Sequence, residues 1–366
     1  MSRTLASRLA TWGASVGRRV LLAALALVVP LVLAGVVLPR GAAAASSGTA
    51  VPTGTAPPAP VPEHVTLKLS GPGGRPLFAP VGQPAVMLYG RVTPYVAGQR
   101  TAVAFFLRGH QVGTKVLPVA PRSGGSGSFQ VRFPTSYAGT ITAVVGVHVG
   151  PGDVVSAHTP AIQFVHTDIS PGSSGASVRL LQSELNGLHY AVPLNGEFEE
   201  ATERALIAFR KMTGMERVGE AGAEVFRKLS HGEGAFPVRY PHDGRHVEAN
   251  LTKQVLAEIE PGGKVREIYT MSSGKPSTPT VVGRFQVYEK TWGVNTEGMV
   301  DSNYFIRGYA IHGYAEVPTY AASHGCLRVP IPDAAAIYGW VQLGTPVDVY
   351  DQGGGGSTTP RGNAGP

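Results

Sequence analysis

Alternating apolar and polar positions dominate the chain between His64 and His166. Six short runs have this period of two, and turns rich in Gly, Pro and Ser separate them. Successive side chains of a strand point to opposite faces, so the pattern predicts strands with one buried face. Short strands at this spacing predict an immunoglobulin-like β-sandwich over residues 64–166. The predicted strands are Val65–Leu69, Val86–Val92, Thr101–Leu107, Phe129–Phe133, Ile141–Val149 and Ala161–Val165.

The period changes to that of an α-helix between residues 170 and 232. Three apolar stripes recur at three- and four-residue spacing there, and Asn195-Gly196 marks a turn before the second. Each stripe predicts one amphipathic helix, so the segment is predicted to be a three-helix bundle. The stripes are Val178, Leu181, Leu185 and Leu188; Ala201, Ala205, Phe209 and Met212; and Val225 with Leu229.

The last folded region is predicted over residues 243–351 and consists mostly of strands. A linker with Pro237 and Pro241 precedes it, and a glycine-rich tail over residues 352–366 is predicted to be disordered. One short helix is expected near Pro332, because proline suits the first helical turn and the carboxylate of Asp333 favours a helix N-terminus.

The first 45 residues have the order of an export signal. Four arginines precede an apolar run from Val20 to Leu38, and small residues follow up to Ala45. The run is longer than a usual signal core and close to the ~20 residues that span a bilayer. Two interpretations remain open: a signal cleaved near Ala45, or a retained membrane anchor with its N-terminus inside. Residues 46–63 are rich in Ala, Thr and Pro and form a predicted linker.

Composition narrows the choice of partners. The formal net charge is +7 and the pI is about 9.5. A basic protein can bind nucleic acid, an anionic membrane or an anionic polymer. No run of lysine and arginine is interleaved with aromatic residues, so nucleic acid is not predicted. The single cysteine excludes a disulfide framework.

That cysteine, Cys326, lies in the stretch Ser323-His324-Gly325-Cys326-Leu327-Arg328, and His312 lies a short loop upstream. A lone cysteine is often a small buried hydrophobe. In an exported chain, however, an unpaired thiol beside histidines favours a nucleophile. A neighbouring imidazole is expected to lower the thiol pKa, and Gly325 lets a substrate approach the backbone N–H groups. These groups suffice for acyl transfer through a thioester.

Ile311-His312-Gly313 followed by Ser323-His324-Gly325-Cys326-Leu327-Arg328 resembles the signature of the L,D-transpeptidases of the YkuD family. The resemblance extends back to His246–Leu256 and Ser272–Thr280, and forward to Val347. The order of residues from Val178 to Gly214 resembles the peptidoglycan-binding domain type 1, although Glu197 and Glu199 depart from its usual pattern. Such a module is expected to raise the local substrate concentration without doing chemistry.

The resemblance implies a multidomain protein with a mainly β catalytic domain of the YkuD type that contains a short helix. This domain would follow the immunoglobulin-like β-sandwich and the three-helix bundle. It would lie outside the cytoplasmic membrane in the cell wall, either secreted or anchored through Val20–Leu38. The implied partners are peptidoglycan stem peptides, and carbapenem-type β-lactams are implied covalent inhibitors. No cofactor and no metal are implied.

The resemblance also assigns roles to individual residues. Cys326 would attack a stem-peptide carbonyl, His312 would be the proton donor and acceptor, and His324 would orient the site. Ser323 would support these groups by hydrogen bonding, and the N–H groups of Gly325 and Cys326 would face the oxyanion. Apart from the resemblance, three further residues are candidates for binding the stem by their chemistry: Arg328, whose alternative is a surface charge, and Tyr304 and Tyr314, whose alternative is a place in the core.

The predicted reaction is the formation of 3→3 cross-links through a cysteine acyl-enzyme. With water as the acceptor, the same site would act as an L,D-carboxypeptidase. A papain-like cysteine peptidase is a weaker alternative, because its cysteine precedes its histidine and begins a helix. A non-catalytic wall-binding protein is a third alternative, against which the intact motif argues. The histidines lack the spacing of a zinc motif.

Overall fold

The computed structural model describes residues 64–71, 77–82, 86–150 and 153–352. The predicted signal or anchor, the linker over residues 46–63 and the tail beyond Gln352 lie outside these residues and stay predictions. Within the described ranges, no helix is long and apolar enough to cross a membrane.

The N-terminal part of the described chain is a β-sandwich of two sheets. One sheet has the order β1-β3-β7-β6, and the other has β2-β10-β8-β4-β5 with β9 paired to β8. All six predicted segments coincide with strands, and β2, β5, β6 and β9 are additional. The immunoglobulin-like class stays a prediction. The strands are β1 (His64–Ser70), β2 (Phe78–Pro80), β3 (Met87–Thr93), β4 (Arg100–Leu107), β5 (His110–Pro118), β6 (Ala120–Arg122), β7 (Ser126–Arg132), β8 (Gly139–Gly150), β9 (Asp153–His158) and β10 (Ile162–Val165).

Three helices follow, in the places that the apolar stripes predict: α1 (Ala176–Gly187), α2 (Glu200–Thr213) and α3 (Ala223–Ser230). Gln182 is fully buried and orders the turn between α1 and α2. Its amide nitrogen donates to Asn195 Oδ1 and Thr202 Oγ1, and its amide oxygen accepts the Gly196 N–H. The turn is therefore fixed by one side chain that satisfies several buried polar groups.

The C-terminal domain, which the sequence predicts to be catalytic and which is called the catalytic domain below, contains two sheets and one helix. The first sheet has the order β13-β12-β11-β19-β14, and the second has β15-β16-β17-β18. The elements are β11 (His246–Asn250), β12 (Val255–Glu260), β13 (Lys264–Thr270), β14 (Gly283–Gln286), β15 (Glu289–Val294), β16 (Val300–Ile306), β17 (Tyr309–Tyr314), β18 (Leu327–Pro330), α4 (Ile331–Trp340) and β19 (Pro346–Tyr350). The helix expected at Pro332 is α4, and the domain is mainly β.

The helical domain shares one hydrophobic core with the first catalytic sheet. Buried residues of α1–α3 form a single cluster with Val255, Ala257, Ile259 and Ile268 of β12 and β13. A polar contact at another point, between Arg204 and Asp333 of α4, joins the same two domains with both side chains mostly buried. The helical domain and the first catalytic sheet are therefore packed together as parts of one body.

Candidate active site

Cys326 immediately precedes β18, which pairs with β17 in parallel. The register sets His312 opposite Arg328 and Ile311 opposite Leu327. Paired residues of a sheet point to the same face. Ile311 and Leu327 are fully buried in the catalytic core. His312, Arg328 and Cys326 therefore lie together on the opposite face of the same two strands.

The loop before Cys326 is held by the segment that follows β13. The Ser273 carbonyl oxygen accepts the N–H groups of Ala322 and Ser323 at 2.8 and 2.9 Å. The carbonyl oxygen of Ser323 accepts the Lys275 N–H at 2.9 Å and the Thr278 hydroxyl at 3.0 Å. Three of these four bonds join backbone groups of the two segments, so the position of the loop depends on the position of residues 272–278.

Ser323 is fully buried and closes the tight turn that carries the thiol. Its hydroxyl donates to the Cys326 carbonyl oxygen at 2.6 Å and accepts the Gly325 N–H at 3.1 Å. The Gly325 N–H therefore points at Ser323, which differs from the expectation that it faces the oxyanion. Of the two expected backbone donors, the Cys326 N–H is the one that stays a candidate.

Gly325 is required by its conformation and its neighbour. Its φ is +122°, a region that residues with a Cβ rarely adopt, and an added Cβ would lie 2.5 Å from the Tyr309 ring. Thr280 Oγ1 donates to its carbonyl oxygen at 2.8 Å. The turn is thus packed on one side and hydrogen-bonded on the other.

His312 is 2% exposed, and its ring is held in one tautomer. Its Nδ1 lies 2.9 Å from the Gly313 carbonyl oxygen, which can only accept, so Nδ1 carries the proton and Nε2 is left as a base. The edge of the Tyr314 ring packs against it, with centroids 5.7 Å apart and planes at 88°. Burial lowers the pKa of His312 to about 4, and the positive charge of Arg328 also lowers it.

The Cys326 thiol is half-buried and lies 3.8 Å from the Gly308 carbonyl oxygen. Burial raises the pKa of Cys326, while a hydrogen bond from the Ala310 backbone and the charge of Arg328 act in the opposite direction. The expectation of a lowered thiol pKa is therefore wrong for the free protein. At pH 7 the thiol and the imidazole are therefore both neutral, and they lie on the same face of the sheet.

The candidate stem-binding residues lie on the same face of the sheet as the thiol and the imidazole. The Arg328 guanidinium lies 4.0 Å above the centre of the Tyr314 ring. It forms no ion pair with any carboxylate in the part of the chain that the structure describes. Tyr304 pairs with Ala310, so it lies on the face of His312, and its hydroxyl accepts from Asn295 at 3.3 Å.

His324 differs from His312 in its surroundings. It is exposed, and its Nε2 lies 3.2 Å from the Lys275 ammonium nitrogen. An ammonium group only donates, so His324 Nε2 is the acceptor of this bond. Its orienting role stays a prediction.

Other residues that shape the site have no signal in the sequence. Gln254, which has a positive φ of 59°, bonds both the N–H and the hydroxyl of Ser273, at 2.9 and 2.7 Å. Lys211 of α2 is 2% exposed and donates to the carbonyl oxygens of Gln254 and Met271. These contacts join residues distant in sequence, and no local pattern predicts them. No group of three or more His, Cys, Asp and Glu side chains within the described ranges is arranged to hold a metal ion.

Two family models match the chain. Residues 244–349 match the YkuD family, described as the L,D-transpeptidase catalytic domain. Residues 174–229 match a second family, described as "Putative peptidoglycan binding domain". Both matches fall on the segments that the sequence motifs single out.

Solved structures give the second comparison. An L,D-transpeptidase from Xylanimonas cellulosilytica is 33% identical over 51% of this chain and 98% of its own, with a TM-score of 0.46. A mutant L,D-transpeptidase from Enterococcus faecium is 28% identical over 29% of this chain and 50% of its own, with a TM-score of 0.27. The Ldtfm-avibactam carbamoyl enzyme is 29% identical over 29% of this chain and 48% of its own, with a TM-score of 0.26. No curated protein sequence matches the chain.

Proposed function

This chain belongs to the L,D-transpeptidase family of the YkuD type, and we propose that it forms 3→3 cross-links between peptidoglycan stems through a Cys326 acyl-enzyme. The observation that carries the proposal is the arrangement of one buried base and one thiol on the same face of β17 and β18. The base is His312, whose Nδ1 is committed to Gly313 and whose Nε2 is free to take a proton.

In the first half-reaction the neutral pair reacts without a preformed ion pair. As the sulfur of Cys326 bonds to the carbonyl carbon of the third stem residue, its proton passes to His312 Nε2. The C–N bond to the terminal D-alanine then breaks, and the amine leaves with that proton. The Cys326 N–H is the proposed donor to the oxyanion.

In the second half-reaction an amine consumes the thioester. The side-chain amine of another stem attacks, its proton goes to His312 Nε2, and the thiol is regenerated with that proton. Water in place of the amine gives L,D-carboxypeptidase activity on the same stem. The proposed role of Arg328 is to bind a stem carboxylate, which its available guanidinium and its position beside the thiol support. Tyr304 and Tyr314 are proposed to border the stem.

The domain setting supports a location in the cell wall, outside the cytoplasmic membrane. The helical domain is proposed to hold peptidoglycan against the catalytic domain. Because the two domains share a core, deleting the helical domain would expose Val255, Ala257 and Ile259. Peptidoglycan binding is therefore tested with surface substitutions on the helices rather than with a truncated chain.

The test of the cysteine mechanism uses two readouts. If Cys326 is the nucleophile, incubation with a carbapenem should add the mass of the drug to the protein, and the variant Cys326→Ala should not be labelled. Mass spectrometry of the products from disaccharide-tetrapeptides should detect dimers that have lost D-alanine. Tripeptides alone would assign the carboxypeptidase reaction, and no product from a folded protein would favour a non-catalytic wall-binding role.

A further inference from the structure

Positive charge is concentrated in the β-sandwich. Residues 64–166 contain eight lysine and arginine residues and one acidic residue, Asp153, so eight positive charges less one negative give +7. The whole chain also has a net charge of +7. The remaining segments sum to zero, because the net charge of +4 over residues 1–63 (five arginines less Glu63) is offset by a net charge of −4 over residues 167–366 (18 Lys and Arg less 22 Asp and Glu).

The structure places part of this charge on the outer face of the first sheet of the sandwich. Lys68 pairs with Tyr89, and Tyr89 pairs with Gln130 on the next strand. Arg91 lies two residues further along β3, and Arg122 lies on β6 at the sheet edge. All five of these side chains are exposed, whereas the alternate positions of β3 and β7 are buried.

Three of the cations form a diagonal row across the sheet. Strands lie about 4.8 Å apart and residues advance about 3.4 Å, so the Cα atoms of Lys68 and Arg91 are about 8 Å apart. The same geometry puts the Cα atoms of Arg91 and Arg122 about 12 Å apart. This row follows a groove of about 680 Å³ that Leu117 and Pro118 of β5 also line.

The two arginines are held in place without being neutralised. Arg91 Nε donates to Ser126 Oγ at 3.2 Å, and Arg122 Nε donates to Ser128 Oγ at 2.8 Å. Both bonds use Nε and leave the terminal nitrogens of each guanidinium, which are suited to bidentate contact with a carboxylate or phosphate. Neither arginine nor Lys68 forms an ion pair with a carboxylate among the described residues.

We propose that this face, defined by Lys68, Tyr89, Arg91 and Arg122, binds a linear anionic polymer of the cell wall. The location of this partner rests on the proposed function. A linear polymer with repeated carboxylate or phosphate groups fits a row of cations along a groove. Tyr89 is 41% exposed within the row and offers an aromatic face to a sugar ring.

A lipid surface is the other partner that positive charge attracts, and the face suits it less well. Membrane-surface binding combines cations with apolar side chains that enter the interface. Of the large exposed apolar residues described in the sandwich, only Tyr89 belongs to this face; Leu77, Val116 and Tyr137 lie outside it. The groove is also concave, which matches a chain better than a bilayer.

The test compares two variants of the full-length chain with equal charge. Lys68→Gln/Arg91→Gln removes two cations from the row, and Arg108→Gln/Lys115→Gln removes two exposed cations elsewhere in the sandwich, on β5 and on the turn before it. The probes are immobilised polygalacturonate, poly(glycerol phosphate) and dextran, together with phosphatidylcholine vesicles that contain 30% phosphatidylglycerol. Binding is measured at low and high salt, with the additional change Cys326→Ala in every protein so that catalysis plays no part.

The parent should bind one or both anionic polymers in a salt-dependent way and should not bind dextran. The row variant should bind them about tenfold or more weakly, and the control variant should bind like the parent. Polygalacturonate and poly(glycerol phosphate) distinguish a carboxylate chain from a phosphate chain. Equal losses in both variants, no loss in either, or a loss confined to the vesicles would overturn the proposal. Turnover of a soluble stem by the row variant with Cys326 intact should equal that of the parent, so a failure of the proposed reaction is detected separately.

Discussion

The Nζ of Lys211, on the second helix, lies 2.9 Å from the carbonyl oxygen of Met271 at the end of the first catalytic sheet. The same ammonium group donates to Thr270 Oγ1 at 2.7 Å and to the Gln254 carbonyl oxygen at 3.1 Å. All three donors of the lysine are thus used by the catalytic domain. The helical domain contacts the segment that leads, through Ser273, to the loop of the thiol.

This contact predicts a loss of stability in the variant Lys211→Met. The methionine keeps much of the side-chain volume but leaves three buried acceptors without a donor. We expect the free energy of unfolding to fall by about 2–4 kcal/mol. Chemical denaturation measures it. The control Lys264→Met alters an exposed lysine of β13 and should change stability by less than about 0.5 kcal/mol. A loss in Lys211→Met no larger than in the control would contradict the structural role.

Lys211 should also give the protein a specific dependence of stability on pH. Burial lowers its pKa to about 7, below the ~10.4 of an unfolded lysine. Between these values the unfolded chain binds one more proton than the folded chain, so stability rises with pH across that window. We expect the difference in unfolding free energy between the parent and Lys211→Met to grow from pH 7 to pH 10. A difference that is constant over this range would contradict the lowered pKa.

The buried imidazole predicts the acid limit of activity. Because His312 must be neutral to accept the proton, kcat/KM should fall only as the pH drops towards about 4. An ordinary histidine would give a fall near ~6.5. His312→Ala should lose about 10²–10⁴-fold in kcat/KM, and the exposed His324 should tolerate alanine with a smaller loss. An acid limit near 6.5, or a larger loss in His324→Ala, would reverse the roles assigned to the two histidines.

Arg328 affects the site both by its charge and by its shape. Its positive charge lowers the pKa of both His312 and Cys326, so Arg328→Gln should move the acid limit of kcat/KM to higher pH. Arg328→Lys restores the charge and should restore the limit. Neither variant restores the bidentate geometry, so KM for the stem should rise in both. If Arg328→Lys matched the parent in KM, the proposed carboxylate contact would be wrong.

The turn before the thiol predicts an intolerance of any side chain at Gly325. In Gly325→Ala the new Cβ would meet the Tyr309 ring while the backbone keeps a strained φ of +122°. We expect at least about a hundredfold loss of carbapenem labelling rate, since a shift of the thiol by about 1 Å is enough for such a loss. Gly339→Ala, in open space on α4, is the control and should be neutral or slightly stabilising. Normal labelling of Gly325→Ala would mean that the turn adapts freely.

Local patterns in the sequence predicted most elements of the sandwich and of the helical domain. Alternation predicted six strands of the sandwich, and the 3.6-residue period predicted α1, α2 and α3. Short or irregular strands were not predicted. β5 has no alternating burial, and β2 and β6 contain three residues each. A strand of this kind is defined by the neighbour to which it hydrogen-bonds, and that neighbour is distant in sequence.

At the candidate site, residue type and spacing are enough to identify Cys326, His312 and Gly325 as the residues that bear the chemistry. Tertiary structure decided their state. The depth at which His312 is buried and the partner of its Nδ1 set its tautomer and pKa, and packing on Tyr309 explains why Gly325 is needed. The contact of Lys211 with Met271 and the cation row of the sandwich likewise depend on strand register and domain docking. Burial, hydrogen bonding and charge proximity act through space between distant residues, so only the folded chain defines them.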